Sequence, residues 1–331
     1  MDTTTFRALR VHEEQGDFVR RIEDCSINDL PPGEVTVRVR YSGLNYKDAL
    51  SATGNRGVTR HYPHTPGIDA AGTVETDGRG ELEAGTEVLV HAHDLGANTW
   101  GAWGELIRVP GEWVIPLPQG LSLRHAAGYG TAGFTAAQSV LELEENGVTP
   151  DAGEVLVTGA SGGVGGVATA ILGRLGYSVS AVTGTPAAAE RLRQFGAAHI
   201  LSREEASDES SRPLLKGRWA GVVDTVGGAI LASAVRAARH GGVVTACGNA
   251  ASGDLPLTVY PFILRGARLI GIDSAWMPTD RRRAIWHRLA GAWAVGEALD
   301  AMLVETDLDG LEEWIDRILA GRLQGRVLLR L

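Results

Sequence analysis

Residues 154–185 read EVLVTGASGGVGGVATAILGRLGYSVSAVTGT, and this stretch decides the reading of the whole chain. A short β-rich run from Glu154 to Thr158 ends in a glycine cluster at Gly159, Gly162, Gly163, Gly165 and Gly166. An amphipathic helical pattern follows, and a second β-rich run from Tyr177 to Thr183 closes the unit. Strand, glycine turn, helix and strand in this order are the mononucleotide-binding half of a doubly wound parallel sheet. The glycines allow a tight turn, let backbone N–H groups approach a pyrophosphate, and let the helix pack close to the strand. The helix N-terminus then favours the phosphate charge.

The far end of the unit selects the dinucleotide. A site for NAD usually carries Asp or Glu about 20 residues beyond the glycines, bonded to the ribose 2′-hydroxyl. Here the chain reads Val182, Thr183, Gly184, Thr185, Pro186, and no acid occurs until Glu190. With no carboxylate to repel a 2′-phosphate, Thr183 and Thr185 are candidate donors, and Arg191, Arg193 and Arg203 are candidate charge partners. The expected cofactor is NADP(H). For each arginine the alternative is a solvated helix face.

Composition bounds the rest. The chain has 331 residues, 44% hydrophobic and 21% charged, enough for two domains with a substantial core. A net charge of −9 argues against nonspecific nucleic-acid binding and gives no attraction to anionic membranes. Two cysteines, Cys25 and Cys247, are too few for a disulfide framework or a zinc cluster. No signal-peptide pattern opens the chain and no apolar run reaches membrane-spanning length, so the cytoplasm is the expected compartment.

Upstream of residue 125 the pattern changes. Short alternating runs, EVTVRVRYSGL (34–44), AGTVETDG (71–78), TEVLVHAH (86–93) and ELIRVPGEWVIPLP (105–118), are separated by turn signals and predict a mainly β, barrel-like domain. From Arg124 to about Asp273, helix and strand patterns alternate, with strands expected at 154–158, 177–183, 198–201, 220–224, 242–247 and 267–272. Helices are expected at 124–146, 163–175, 186–195 and 228–239, then at 279–294 and 308–320. The last β-like run, Gly325 to Leu331, needs a sheet to join and is expected to return to the N-terminal domain. The fold class is therefore α/β: a doubly wound, Rossmann-type parallel sheet at 125–295, beside a mainly β domain at 1–124 completed by 296–331. The ligand is expected in the cleft between the two, outside the carboxyl ends of the strands.

Particular stretches carry a resemblance. SGLNYKDAL (42–50), HTPGIDAAGTV (64–74), GTAGFTA (130–136), VTGASGGVGG (157–166), WAGVVDTVGG (219–228) and QGRVLL (324–329) run nearly the length of the chain. Together they resemble the medium-chain dehydrogenase/reductase superfamily, and within it the acryloyl-CoA reductase type of zinc-free quinone oxidoreductase. The resemblance implies a GroES-like barrel domain, a Rossmann domain and a homodimer formed through the nucleotide domain. It also implies an NADPH-dependent reductase that saturates the activated C=C bond of a short 2-enoyl thioester. A quinone or general enone reductase is the alternative activity. A non-catalytic NADPH-binding protein is a third reading.

Aligned by its motifs, the chain has Asn45 and Ile68 where zinc-using relatives have a cysteine and a histidine, and no cysteine occurs in 90–113. The best remaining pair of potential ligands is His91-x-His93, at neither family position. No metal site is expected. An enoyl thioester needs no Lewis acid, because its β-carbon is already electron-poor; the protein has to position the reactants, donate a hydrogen bond to the oxygen and deliver a proton. The phenol of Tyr46 is the candidate to bond the cofactor or donate that proton, with a buried, backbone-satisfied tyrosine as its alternative. The amide of Asn45 is a candidate donor. Lys47 and Asp48 are read as a structural pair, and Asp69 as orienting Lys47 or a loop. The resemblance places Ser161, Gly162, Gly163 and Val164 at the pyrophosphate and Thr183, Gly184, Thr185 and Arg203 at the 2′-phosphate. It places Gly248 and Ala250 near the nicotinamide ribose, with Leu264 and Ser274 from the following loop and strand. Relatives often carry Arg where this chain has Thr185. Asp224 is expected to cap the following helix, and Trp100 and Trp103 to pack the β domain.

Overall fold

The computed structural model of the protein describes residues 3–331, which divide into two compact units. One contains the chain up to Thr131, with Ala275–Ala290 and Leu303–Leu331; the other contains Ala132–Ser274 and Gly291–Met302. The division falls a few residues later than the expected boundary at 124/125. It also assigns the helix Thr279–Ala290 to the β-rich unit. The reason is burial: Arg282 and Trp286 of that helix are both sequestered against His91.

The second unit is built on six parallel strands, Glu154–Val157, Val179–Val182, Ala197–Leu201, Trp219–Asp224, Ala238–Ala246 and Arg268–Gly271. Numbered along the chain from the first, they lie in the order 3-2-1-4-5-6, the doubly wound dinucleotide-binding order. Near-continuous apolar runs fit strands covered on both faces: Leu156, Val182, Val222 and Val244 from four strands share a core with Leu231 and Val235 of the helix Gly228–Arg236. The helix Gly163–Arg174 follows the first strand closely because Gly165 has no side chain. A Cβ there would stand 2.4 Å from the carbonyl oxygen of Gly159.

The first unit opens with a hairpin, Thr5–Glu14 against Asp17–Ser26, that the sequence reading did not anticipate. Its second strand is charged and mostly half-buried, so it lacks the alternation that betrays a strand. The turn at Gln15 and Gly16 has positive φ at both residues, the geometry that matches strand twist. The larger sheet runs Leu303–Thr306, Arg326–Arg330, Val35–Leu44, Asp69–Asp77, Glu87–His91, Ile115–Pro116, with Leu106–Val109 paired to the first half of Val35–Leu44. The terminal strand does return to this unit, pairing Val327 with Leu44 in antiparallel register. Short elements at Tyr46–Ala52, Gly296–Asp300 and Leu303–Thr306 were not legible beforehand. The expected helix 124–146 forms as Leu123–Glu145, kinked at Gly130, whose φ of 48° no L-residue adopts easily.

That kink has a cause in packing. Gly130 and Gly43 press against the carboxylate of Asp69 and the guanidinium of Arg326; a Cβ at Gly130 would lie 2.2 Å from Asp69 Oδ2. Asp69 and Arg326 are both fully buried and ion-paired at 3.4 Å. Parting a buried pair leaves an uncompensated charge, at a cost of about 3–5 kcal/mol. Gly130→Ala is therefore expected to destabilise the protein by about 3 kcal/mol or more. Chemical denaturation checks this, and a change within about 0.5 kcal/mol, the scale of an ordinary surface substitution, would refute it.

Candidate active site

In the parallel-sheet unit, the glycine-rich turn delivers an open helix N-terminus. Gly162 is the N-cap of Gly163–Arg174 and offers no side-chain capping bond, so the N–H groups of the first turn are presented outward. Ser161, Gly162, Gly163 and Val164 are all partly exposed at this end. Gly159 has φ +58°, and a Cβ there would strike the hydroxyl of Thr225, 2.3 Å away. Exposed N–H groups at a helix N-terminus are suited to an anion.

The second strand ends in the turn Thr183, Gly184, Thr185. Thr183 is buried, and its hydroxyl accepts the N–H of Thr185 at 3.0 Å; it braces the turn. Gly184 lies under the guanidinium of Arg203, whose Nε would be 2.4 Å from a Cβ at that position. Arg203 opens the short helix Arg203–Ala206, stands exposed, and has no ion-pair partner among the described residues. Arg193 instead faces Glu190 at 3.7 Å. Of the three arginines considered, Arg203 is the one laid over the turn.

At the carboxyl end of the fifth strand, Gly248 and Ala250 are exposed. Cys247 beside them is held under Asp224, its thiol 3.1 Å from the Asp224 carbonyl, and burial pushes its pKa up to about 12. Asp224 departs from its expected capping role. Its carboxylate accepts from Thr158 Oγ1 at 2.8 Å and from the N–H of Gly227 at 2.8 Å, tying two strand ends together, while Gly227 is the N-cap. Leu264 is exposed on the helix Tyr260–Arg265, not in a loop. Ser274 lies beyond the last strand, where its hydroxyl accepts from Thr135 Oγ1 at 3.0 Å.

In the β-rich unit, Tyr46 is the first residue of the helix Tyr46–Ala52. It is 53% exposed, and its hydroxyl has no hydrogen-bond partner among the described residues. The buried-tyrosine alternative therefore fails. Asn45 also differs from expectation: its amide donates to Asp48 Oδ2 at 3.0 Å and Asp69 Oδ2 at 2.8 Å, and its oxygen accepts from Arg326 Nη1 at 2.8 Å. Both amide hydrogens are committed, so none is left for a substrate.

Asp48 does not pair with Lys47. It is buried and accepts the N–H groups of Asn45, Gly67 and Ile68. Asp69 likewise ignores Lys47; it accepts Thr131 N at 2.8 Å and Thr131 Oγ1 at 2.6 Å as well as Asn45 and Arg326. Arg326 completes the cluster with the carbonyls of Gly128 and Leu44. The sequence reading assigned no role to Arg326 or Thr131. A signal existed, since lone charges within the apolar runs GIDAAG and GRVLL must find each other to be buried.

The zinc question is answered by ligand chemistry. Ile68, at the position of the family histidine, is buried and apolar. His91 accepts the indole N–H of Trp286 at 2.9 Å, and His93 is stacked on Trp113. Among the described residues no group of three or more His, Cys, Asp or Glu could hold a metal. The residues present do not fit a zinc ion. Trp103 is buried and Trp100 lies beneath Arg10, so both pack the β unit as expected.

Comparison with known proteins gives two family matches: "Alcohol dehydrogenase GroES-like domain" over residues 31–119 and "Zinc-binding dehydrogenase" over residues 163–289. The chain is 45% identical to the acrylyl-CoA reductase AcuI of Ruegeria pomeroyi, with 98% of each chain covered. It is 44% identical to the putative quinone oxidoreductase YhfP of Bacillus subtilis, covering 99% of this chain and all of that one. Among solved structures, the yhdH oxidoreductase of Salmonella enterica in complex with NADP superposes with a TM-score of 0.95 at 44% identity, covering 98% of this chain and 99% of that one. Bacillus subtilis yhfP with NAD bound gives 0.96 at 44%, covering 99% and 100%.

The Asp48 cluster makes a pH prediction. Burial first, and the charge of Asp69 second, push the pKa of Asp48 up to about 7. The folded protein then keeps a proton that the unfolded chain releases near its ordinary value. The associated stability is fully present below about pH 4 and is lost as pH rises through about 7. The Tm of the wild type minus that of Asp48→Asn should shrink between about pH 5 and about pH 8; a difference that stays constant or widens would contradict it.

Proposed function

Because this chain belongs to the medium-chain dehydrogenase/reductase superfamily, in the branch of the quinone oxidoreductases and acryloyl-CoA reductases, we propose that it is an NADPH-dependent reductase. Its reaction is saturation of the activated C=C bond of a short 2-enoyl thioester, acryloyl-CoA to propanoyl-CoA. The full-length identity to AcuI carries the substrate class. Reduction of quinones or simple enones is the second reading, which the equal likeness to YhfP favours.

The pyrophosphate sits on the first turn of Gly163–Arg174, held by the N–H groups from Ser161 to Val164. Arg203 lies over Gly184 with no acid in the turn, which favours a 2′-phosphate over a bare ribose hydroxyl. Gly248, Ala250, Leu264 and Ser274 complete the proposed cofactor contacts. When bound, NADPH supplies the hydride that adds to the β-carbon. Tyr46 offers an exposed phenol to hold the developing negative charge on the thioester oxygen or to pass a proton to the α-carbon. Asn45 does not touch substrate in this reading; it fixes the start of the helix that carries Tyr46.

We also propose a homodimer in a reducing, cytoplasmic setting. Arg268–Gly271 is an edge strand, and Val259, Tyr260 and Ile263 at the start of the neighbouring helix are exposed; unpaired edges and apolar surface are features of assembly. Both cysteines are free, and among the described residues no helix is long and apolar enough to cross a membrane. Sedimentation equilibrium should give the mass of two chains; a single-chain mass at micromolar protein would refute the dimer.

Activity is tested with acryloyl-CoA, crotonyl-CoA and quinones, each with NADPH and NADH. Turnover of a short enoyl-CoA with NADPH is expected, whereas turnover of quinones alone would install the second reading. In the same assay Tyr46→Phe should lower kcat by about 100-fold with the KM for NADPH unchanged; an unaltered kcat would remove the phenol from the chemistry. Arg203→Ala should raise the KM for NADPH about tenfold or more and leave that for NADH alone. Equal effects on the two cofactors would exclude a 2′-phosphate contact.

A further inference from the structure

Trp276 is 63% exposed, which is unusual for so large an apolar ring. It is not loosely placed. The carbonyls on either side of it, of Ala275 and Met277, both accept from Arg282 Nη2, at 2.9 and 3.4 Å. Arg282 is itself buried and anchored on His91. The ring of Trp276 meets the edge of His93 at 6.2 Å, and His93 is stacked flat on Trp113 at 4.9 Å with the planes 2° apart. His93 sits at φ 52°, next to Ala92 at φ 64°, so two consecutive residues hold a costly backbone conformation where this ring is presented. Burial, and then the charge of Arg282, hold the His93 pKa down at about 4, leaving the imidazole neutral at physiological pH. The result is an aromatic group with its outermost member open to solvent.

Directly after Trp276 comes the most basic element of an acidic chain. The helix Thr279–Ala290, TDRRRAIWHRLA, carries four arginines against one acid, Asp280, in a protein of net charge −9. Arg282 is consumed inside; Arg281, Arg283 and Arg288 are exposed. An exposed indole followed by a helix with three exposed arginines is suited to a ligand with a flat base at one end and several phosphate charges beside it.

We propose that Trp276 and the exposed arginines of Thr279–Ala290, Arg283 foremost, form the docking site for the adenosine 3′,5′-bisphosphate handle of a coenzyme A thioester. The inference rests on the enoyl-thioester reading and extends it, by naming the surface that selects a CoA ester over a smaller activated alkene. The indole stacks on the adenine, and the guanidinium groups face the 3′-phosphate and the pyrophosphate. Binding energy from this remote handle is then available to the reacting end of the substrate. The site is separate in kind from the one at Arg203, which belongs to the other unit and is assigned to a 2′-phosphate.

The test compares acryloyl-CoA with acryloyl-pantetheine, which has the same reacting group and no nucleotide, in the full-length enzyme with NADPH. Trp276→Ala and Arg283→Glu should each lower kcat/KM for acryloyl-CoA about tenfold and leave kcat/KM for acryloyl-pantetheine unchanged, which also shows that the variants fold. Adenosine 3′,5′-bisphosphate should inhibit the wild type competitively against acryloyl-CoA, with a Ki raised about tenfold in both variants. Adenosine 2′,5′-bisphosphate should compete with NADPH, and its Ki should respond to Arg203→Ala only. If the wild type turns over acryloyl-CoA and both variants keep the same preference for it over acryloyl-pantetheine, the docking site is refuted while the thioester reading stands. If the wild type turns over neither thioester but reduces quinones, the thioester reading itself has failed, and the site with it.

Discussion

The β-rich unit depends on one buried ion pair, Arg326 with Asp69. Each partner opens a strand, Arg326–Arg330 and Asp69–Asp77, and those strands flank Val35–Leu44 on either side. A buried charge must be paired and hydrogen-bonded or it opposes folding. Here the demand is met by four further groups from two segments: Asn45 and the carbonyl of Leu44, and Thr131 and the carbonyl of Gly128. The pair also dictates two glycines, because Gly43 and Gly130 stand where any side chain would displace it. A C-terminal strand, a strand start more than 250 residues earlier in the chain and a helix kink are thus fixed by the same electrostatic requirement.

The functional consequence is local. Asn45 occupies the motif position at which zinc-using relatives carry a ligand, but it is turned inward, with both amide hydrogens on carboxylates. Its neighbour Tyr46 is open to solvent. One residue spends its polar atoms on the scaffold and the next keeps its hydroxyl available; this division follows from Asp48 and Asp69 needing donors. In the other unit, Gly165 has the corresponding role, since it allows the helix to approach the strand and sets the amide groups of its first turn at the mouth of the sheet.

Much of this fold was legible in the order of residues alone. The glycine spacing after Glu154–Val157, the apolar strand runs and the alternation with helices were enough for the parallel sheet, because backbone and periodicity constraints are local and leave a mark in every few residues. The terminal run Arg326–Arg330 was also legible, since an apolar strand cannot stand without a partner. The turn lacking an acid before Pro186, and Asn45 and Ile68 in place of metal ligands, were readable for the same reason: each is a residue type at a fixed offset from a motif.

Only the tertiary structure decided which polar groups are spent and which are free. Lys47 beside Asp48 looked like a pair, yet Asp48 turned to the N–H groups of Gly67 and Ile68, about 20 residues away. Arg193 and Arg203 looked equivalent, and only the second lies on Gly184. His91 and His93 were the best pair of potential ligands in a chain expected to hold no metal, and Trp286 and Trp113 engage the two rings instead. Hydrogen-bond partners of buried groups are chosen across the fold by proximity and desolvation, neither of which is written in the order of residues along the chain.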